Sequence, residues 1–404
     1  MSLWMSRQTL LLTSLVLWLV GCAEPPGPPA ATHRAETPWP ALLERTVELG
    51  VTGITLIVDR PGGEHWEGAA GLASIATQTP LTLDHAIHWG SISKQVTAAL
   101  VLGLVDAGEL DLDTPLLEVL PDPEVAALPH SAEVQIGQLL DHSSGFYATN
   151  NDPEYIRDLV GARAGEHVHW TPRDFLARAA LGEPRGLPGT GHYYSDTNYI
   201  LAGLVVERLT GESLPARAAS ALFEPLGMGA TYFLSTLGPS EPPPVLSARG
   251  HLQLSEELEG LIHLSRFEEV APGILDTTSA GERLDGAGGI VGTAGDLYRF
   301  ADAYLRGDLL SAASRERVLS AARALGGGSG DDHLQRITSA RRTPHGVVIT
   351  SEGDGPGGCQ TLVAFDPASG VLVVALVNHF GLFDDLTEFL LDEIVARAIE
   401  APSL

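Results

Sequence analysis

Short β-like runs, bounded by Gly, Pro and Asp, lie at the two ends of this chain, and helical periodicity fills the middle. Near the N-terminus the runs are ITLIVDR (54–60) and EHWEGAAGLAS (64–74), split by Pro61-Gly62-Gly63, a hairpin signal. Alternation returns in GVVITSE (346–352), TLVAFD (361–366) and VLVVALVN (371–378). Between them helical patterns fall near 134–141, 171–181, 196–209, 213–224, 294–306 and 311–324, with long loops at 143–170 and 236–284. ALLERTVELG (41–50) reads as a helix ended by Gly50, and an amphipathic helix at 383–399 closes the chain. Strands at both ends with helices between predict an α/β (α+β) fold. One antiparallel sheet is built from both termini and flanked by helices, with an all-helical region inserted in the middle. The sheet part takes about 41–105 and 285–404 and the helical part about 106–284, together one domain over 41–404. A pocket is expected in the cleft between the two parts.

The segment HWGSISKQV (88–96) opens the first buried helix, SKQVTAALVLGLVDAG, whose small and apolar residues run nearly all round it. It contains Lys94, the only lysine among 24 Lys and Arg residues. Arginine cannot release its proton in a protein, whereas lysine can. A position that must act as a base therefore excludes arginine. Ser91 precedes Lys94 by one helical turn, on the same face. A helix N-terminus favours an oxyanion and disfavours a nearby ammonium, easing its deprotonation. A serine beside a base is the arrangement used for acyl transfer.

The chain has 404 residues and a formal charge of −27, which excludes nucleic acid and peripheral binding to anionic lipid as functions. Its first residues, MSLWMSRQTLLLTSLVLWLVGC, place Arg7 before an apolar run from Leu10 to Val20. That run is too short for a comfortable membrane span and reads as an export signal over 1–21. Leu19-Val20-Gly21-Cys22 resembles the bacterial lipobox, which implies lipid on Cys22 and anchoring in a bacterial cell envelope, outside the cytoplasm. The Pro- and Ala-rich stretch 22–40 reads as a semi-rigid tether. With Cys22 lipidated, Cys359 has no disulfide partner and is expected to be a small core residue.

Four further segments occur in a telling order: QLLDHSSGF (138–146), YYSDTNYILAGLVVERLTG (193–211), FEPLGM (223–228) and GAGGIVGTAGDLYRFADAYLRG (286–307). With Ser91-x-x-Lys94 they resemble the serine β-lactamase-related family of class C-type β-lactamases, D,D-peptidases, D-aminopeptidases and carboxylesterases, over roughly 41–400. The resemblance implies Ser91 as the acylated nucleophile, Lys94 as its partner and Tyr194 as the carrier of the proton between serine and leaving group. It implies no metal and no cofactor. The class A pattern needs S-D-N and K-T-G; the chain has Ser195-Asp196-Thr197 and no second lysine. By the same resemblance Ser351-Glu352-Gly353 fall at the third motif, and the backbone N–H groups of Ser91 and Asp354 form the oxyanion hole. His142 is taken as structural. GAGGIVGT (286–293) is read as a site of close backbone packing without chemistry.

Two departures shape the expected substrate. Asp196 stands where the family usually has Asn, so it keeps an acceptor, loses a donor, and holds Lys94 protonated. The proton acceptor is then expected to be the Tyr194 phenolate, stabilised by the ammonium beside it. Ser351 replaces a cation that family members aim at a substrate carboxylate; Arg341 and Arg342 are nearby substitutes in sequence, and His345 a rival that sits too early on the strand. An exported serine hydrolase acting on small-molecule or peptide esters or amides, of esterase or D-amino-acid peptidase type rather than a true β-lactamase, is the resulting expectation. A binding lipoprotein that has lost turnover is the alternative.

Overall fold

Every residue of Leu372–Val377 is buried, and the six divide between two cores. Leu372, Val374 and Leu376 face a core shared with the long central helices, while Val373, Ala375 and Val377 face one capped by the terminal helices. A strand covered on both faces needs a continuous apolar run rather than alternation, and VLVVALV is that run. Each such fully buried Leu or Val contributes about 1.5–3 kcal/mol, so this strand alone does much to hold the two ends of the chain together. The computed structural model describes residues 37–161, 170–238, 241–254, 267–280, 284–326, 333–344, 346–355, 357–381 and 389–400. The compact unit begins at Trp39. Cys22 and His345 lie outside the described residues.

The main sheet has eight strands. They are β1 (Gly53–Asp59), β2 (His65–Ser74), β3 (Thr79–Pro80), β4 (His333–Gln335), β5 (Ser339–Thr343), β6 (Gly346–Gly355), β7 (Cys359–Phe365) and β8 (Leu372–Val377). Their order across the sheet is β4-β5-β6-β7-β8-β1-β2-β3, and each neighbouring pair is antiparallel. The N- and C-terminal parts meet at the β1–β8 seam, where Ile54 pairs with Val377 and Leu56 with Ala375. The expected sheet from both termini is therefore present. Helix α1 (Trp39–Glu48) packs Trp39, Leu42 and Leu43 on one face, together with Leu390 and Ile394 from the chain's end.

On the other face lies α2 (Ser93–Asp106), buried from Ser93 to Leu102. A 3₁₀ turn over Gly90–Ile92 precedes it, so Ser91 sits in the lead-in turn rather than in the helix itself. Helices α3 (Ile136–Leu140), α4 (Asp196–Thr210) and α5 (Ala294–Leu305) share this core. The inserted region is helical but not all-helical. Tyr232–Phe233 joins a small sheet with Ile87–His88 and Ile290–Gly292, and His251–Gln253 pairs in parallel with His379–Phe380. Those partners lie far along the chain, so no local alternation announces them. The helix expected at 311–324 breaks into Ala312–Val318 and Ser320–Gly326, and the Val318 carbonyl accepts instead from Thr338 Oγ1 at 2.6 Å.

Candidate active site

Ser91 is placed by an unusually close approach of two backbones. Gly90 has φ +54°, and a Cβ built there would lie 2.7 Å from the Asp354 nitrogen of β6. From the other side, a Cβ on Gly353 would lie 2.0 Å from the Trp89 carbonyl oxygen. Only glycine fits at both positions. Thr361 Oγ1 lies 2.8 Å from the Trp89 oxygen and 3.1 Å from the Gly353 oxygen, tying the strand to the turn. Thus the expected third-motif strand does border the serine. Gly353 supplies the contact, and the Asp354 nitrogen faces the turn that carries Ser91.

Lys94 and Tyr194 converge on the same hydroxyl. Lys94 Nζ donates to Ser91 Oγ at 2.9 Å, and Ser91 Oγ is 2.7 Å from the Tyr194 hydroxyl. The ammonium also donates to the Ala287 carbonyl at 2.8 Å and forms an ion pair with Asp196 Oδ1 at 2.8 Å. Both Lys94 and Asp196 are buried. Its position 5.0 Å from the Tyr194 ring centroid adds a cation–π contact. The Ala287 carbonyl comes from the glycine-rich segment 286–293. The expected close packing is there, since a Cβ on Gly286 would lie 2.4 Å from the Tyr199 oxygen. The contact with Lys94 was not foreseeable, because it is made by a backbone atom.

Asp196 begins α4, and Ser195 caps that helix by accepting from the Thr197 N–H. A carboxylate in the first turn is stabilised by the helix dipole. Burial pushes the Tyr194 phenol above its ordinary range; the Lys94 ammonium opposes this and the Asp196 carboxylate adds to it. The phenolate is scarcer at neutral pH than the ammonium alone would make it, because burial outweighs the favourable charge.

These groups open into a cleft of about 600 Å³ lined by Ser91, Lys94, Tyr194, Asp196, Ser351 and Asp354. Asp354 is exposed to the cleft but hemmed in by protein elsewhere, and this desolvation pushes its carboxyl up, with Lys94 opposing and Glu352 and Asp196 adding repulsion. Arg341, one candidate for the missing cation, is paired with Glu352 at 3.1 Å. Two further cations, Arg185 and Arg336, also line the cleft and are exposed. Each sits outside every recognised motif, so only folding brings it near. Cys359 is buried in the core at the start of β7, as expected. Among the described residues no three His, Cys, Asp or Glu side chains cluster as a metal site requires.

A serine held between a lysine and a tyrosine, at a junction of antiparallel sheet and helical region, is the arrangement of a serine hydrolase. Residues 39–396 match the family model described as "Beta-lactamase", and the chain belongs to that family. It is 30% identical to esterase EstB of Burkholderia gladioli over 385 residues, 88% of this chain and 93% of that one. It is 35% identical to penicillin-binding protein 4 of Amycolatopsis lactamdurans over 283 residues, 68% of this chain and 64% of that protein. The fold is shared with D-amino acid amidase from Ochrobactrum anthropi SV3, with a TM-score of 0.70 at 22% identity, covering 84% of this chain and 90% of that one.

Proposed function

We propose that the protein hydrolyses uncharged or amine-bearing esters and amides through an acyl-enzyme on Ser91. The observation that carries this is the Ser91 hydroxyl, held 2.9 Å from Lys94 Nζ and 2.7 Å from the Tyr194 hydroxyl at the floor of the cleft. Tyr194, ionised and held as the phenolate by the Lys94 ammonium, takes the serine proton as Oγ attacks the substrate carbonyl. The N–H groups of Ser91 and Asp354 hold the oxyanion. Tyr194 then returns the proton to the leaving group, and water releases the acyl group by the reverse path. The likeness to an esterase supports ester substrates. Ser351, which carries no charge, speaks against substrates that need a cation at the third motif. The alternative, a binding protein without turnover, is disfavoured by a Lys94–Ser91–Tyr194 contact that is fully formed.

The test is a panel of p-nitrophenyl acetate, a D-amino acid amide and nitrocefin, with intact-mass analysis after a fluorophosphonate probe. Ester or D-amide turnover above that of nitrocefin, with one adduct on the Ser91 peptide, is the expected result. Fastest turnover of nitrocefin would make the protein a β-lactamase. No turnover and no adduct would make it the binding protein.

We also propose that Cys22 carries lipid and tethers the domain to an envelope membrane. The support is the run Leu10–Val20 ending in Leu19-Val20-Gly21-Cys22, followed by the Pro-rich stretch. Cys22→Ser is expected to abolish incorporation of a fatty-acid analogue and release the protein to the soluble fraction. Labelling that survives the substitution rejects the anchor.

A further inference from the structure

We infer that His142 is the positioning residue that sets the angle of the Tyr194 phenol, gripping residues 193–195 through its backbone, its ring face and its Nδ1 together. The inference rests on the reading of Tyr194 as the proton carrier. His142 follows α3 and is buried with φ +57°, a left-handed conformation that few non-glycine residues adopt. That twist lets one residue make three contacts with one short segment. Its carbonyl accepts from the Tyr193 N–H at 2.7 Å, and its Nδ1 accepts from the Ser195 N–H at 3.2 Å. Between them its ring lies against the Tyr194 ring, centroids 4.5 Å apart and planes 32° apart.

The tautomer follows from the neighbours. Ser144 Oγ accepts from the Phe146 N–H at 3.1 Å, so its own proton is free to go to Asn198 Oδ1, 2.5 Å away. Asn198 therefore presents its amide nitrogen, 3.1 Å away, to His142 Nδ1. Two N–H donors aimed at Nδ1 require that nitrogen to be bare, with the proton on Nε2. Burial first, then Lys94 and His192, hold the imidazole well below its usual range, so it stays neutral and the acceptor persists. A neutral, bare Nδ1 fixes the N-cap of α4 and, through it, both Tyr194 and Asp196.

His142→Asn and His142→Leu separate the acceptor from the rest of the side chain. Asparagine tolerates the left-handed conformation and places Oδ1 near the Nδ1 position. Leucine removes the acceptor. Steady-state kinetics with p-nitrophenyl acetate, thermal melting and probe labelling of Ser91 are measured for each. His142→Leu is expected to lower kcat by roughly 10- to 100-fold with KM nearly unchanged, since a misplaced catalytic group costs rate rather than binding. His142→Asn is expected to restore kcat to within about threefold of the parent, the residue being lost with the ring contact. If His142→Leu does not fold, His142→Phe takes its place, because it keeps an aromatic ring against Tyr194 and has no acceptor. A folded acceptor-less variant with unchanged kcat overturns the inference, as does His142→Asn as slow as the acceptor-less form. A parent protein that takes no label at Ser91 overturns instead the reading of the site on which the inference stands.

Discussion

Lys94→Arg is expected to lose acylation nearly as completely as Lys94→Ala, by on the order of 10²- to 10⁴-fold, and Ser91→Ala to lose it altogether. The arginine variant keeps the charge, so it asks whether charge alone is enough. Two physical reasons say that it is not. A guanidinium cannot give up a proton, whereas an ammonium beside a tyrosine can share one as the phenol cycles. The second reason is geometric. The Lys94 ammonium reaches oxygens in several directions, among them Ser91 Oγ at 2.9 Å, the Ala287 carbonyl at 2.8 Å and Asp196 Oδ1 at 2.8 Å, with the Tyr194 hydroxyl also bonded to it. A compact tetrahedral group with three N–H bonds meets that demand. A planar fork does not, because its N–H bonds all lie in one plane. Rates of probe labelling and of ester hydrolysis measure the effect. If Lys94→Arg keeps most of the parent rate, the lysine acts only as a fixed charge, and neither reason stands.

Much of this site was legible because motif residues close in sequence stay close in space. Ser91 and Lys94 are one turn apart on any helix or 3₁₀ lead-in, and Tyr194 and Asp196 flank the capping Ser195 of α4. That both ends build one sheet was legible in their strand-forming runs, but that VLVVALV is covered on both faces instead of alternating shows only in the structure. Other parts could not be read. The Ala287 carbonyl carries no residue-type signal. Arg185 and Arg336 come to the cleft from segments without a pattern, and His251–Gln253, besides its local partner Ile274–Asp276, pairs with His379–Phe380 far along the chain. The resemblance assigns no base to the loop of His142, which makes it structural in the sequence, and nothing in a histidine's position reveals a left-handed backbone. Its grip on residues 193–195 exists only in three dimensions.

Asp196→Asn is expected to leave the protein less stable yet faster at neutral pH. The stability follows from the buried pair: an amide oxygen still accepts from Lys94, but the ammonium loses its counter-charge in a place where water cannot replace it. The loss is up to about 3–5 kcal/mol, the cost of leaving one charge of a buried pair uncompensated, less what the retained hydrogen bond returns. The rate follows from Tyr194. Its phenol lies above the ordinary range, so the phenolate fraction, and with it acylation, climbs by about tenfold per unit of pH from neutral upwards. The Asp196 carboxylate is one of the influences holding that phenol up. Removing it lowers the pKa, shifts the profile towards lower pH, and raises the phenolate fraction at any fixed neutral pH. Both esters and amides gain from this shift. Asparagine also offers an N–H to a substrate carbonyl, worth a further 0.5–1.5 kcal/mol, about two- to tenfold, to amides and β-lactams alone. Acylation by nitrocefin and by p-nitrophenyl acetate, followed from neutral to alkaline pH in both proteins beside thermal melts, separates the two gains. A common shift with an extra gain for nitrocefin is the expected outcome. If both substrates slow alike at every pH, Asp196 is an adapted part of the proton path, and its charge serves the reaction instead of restraining it.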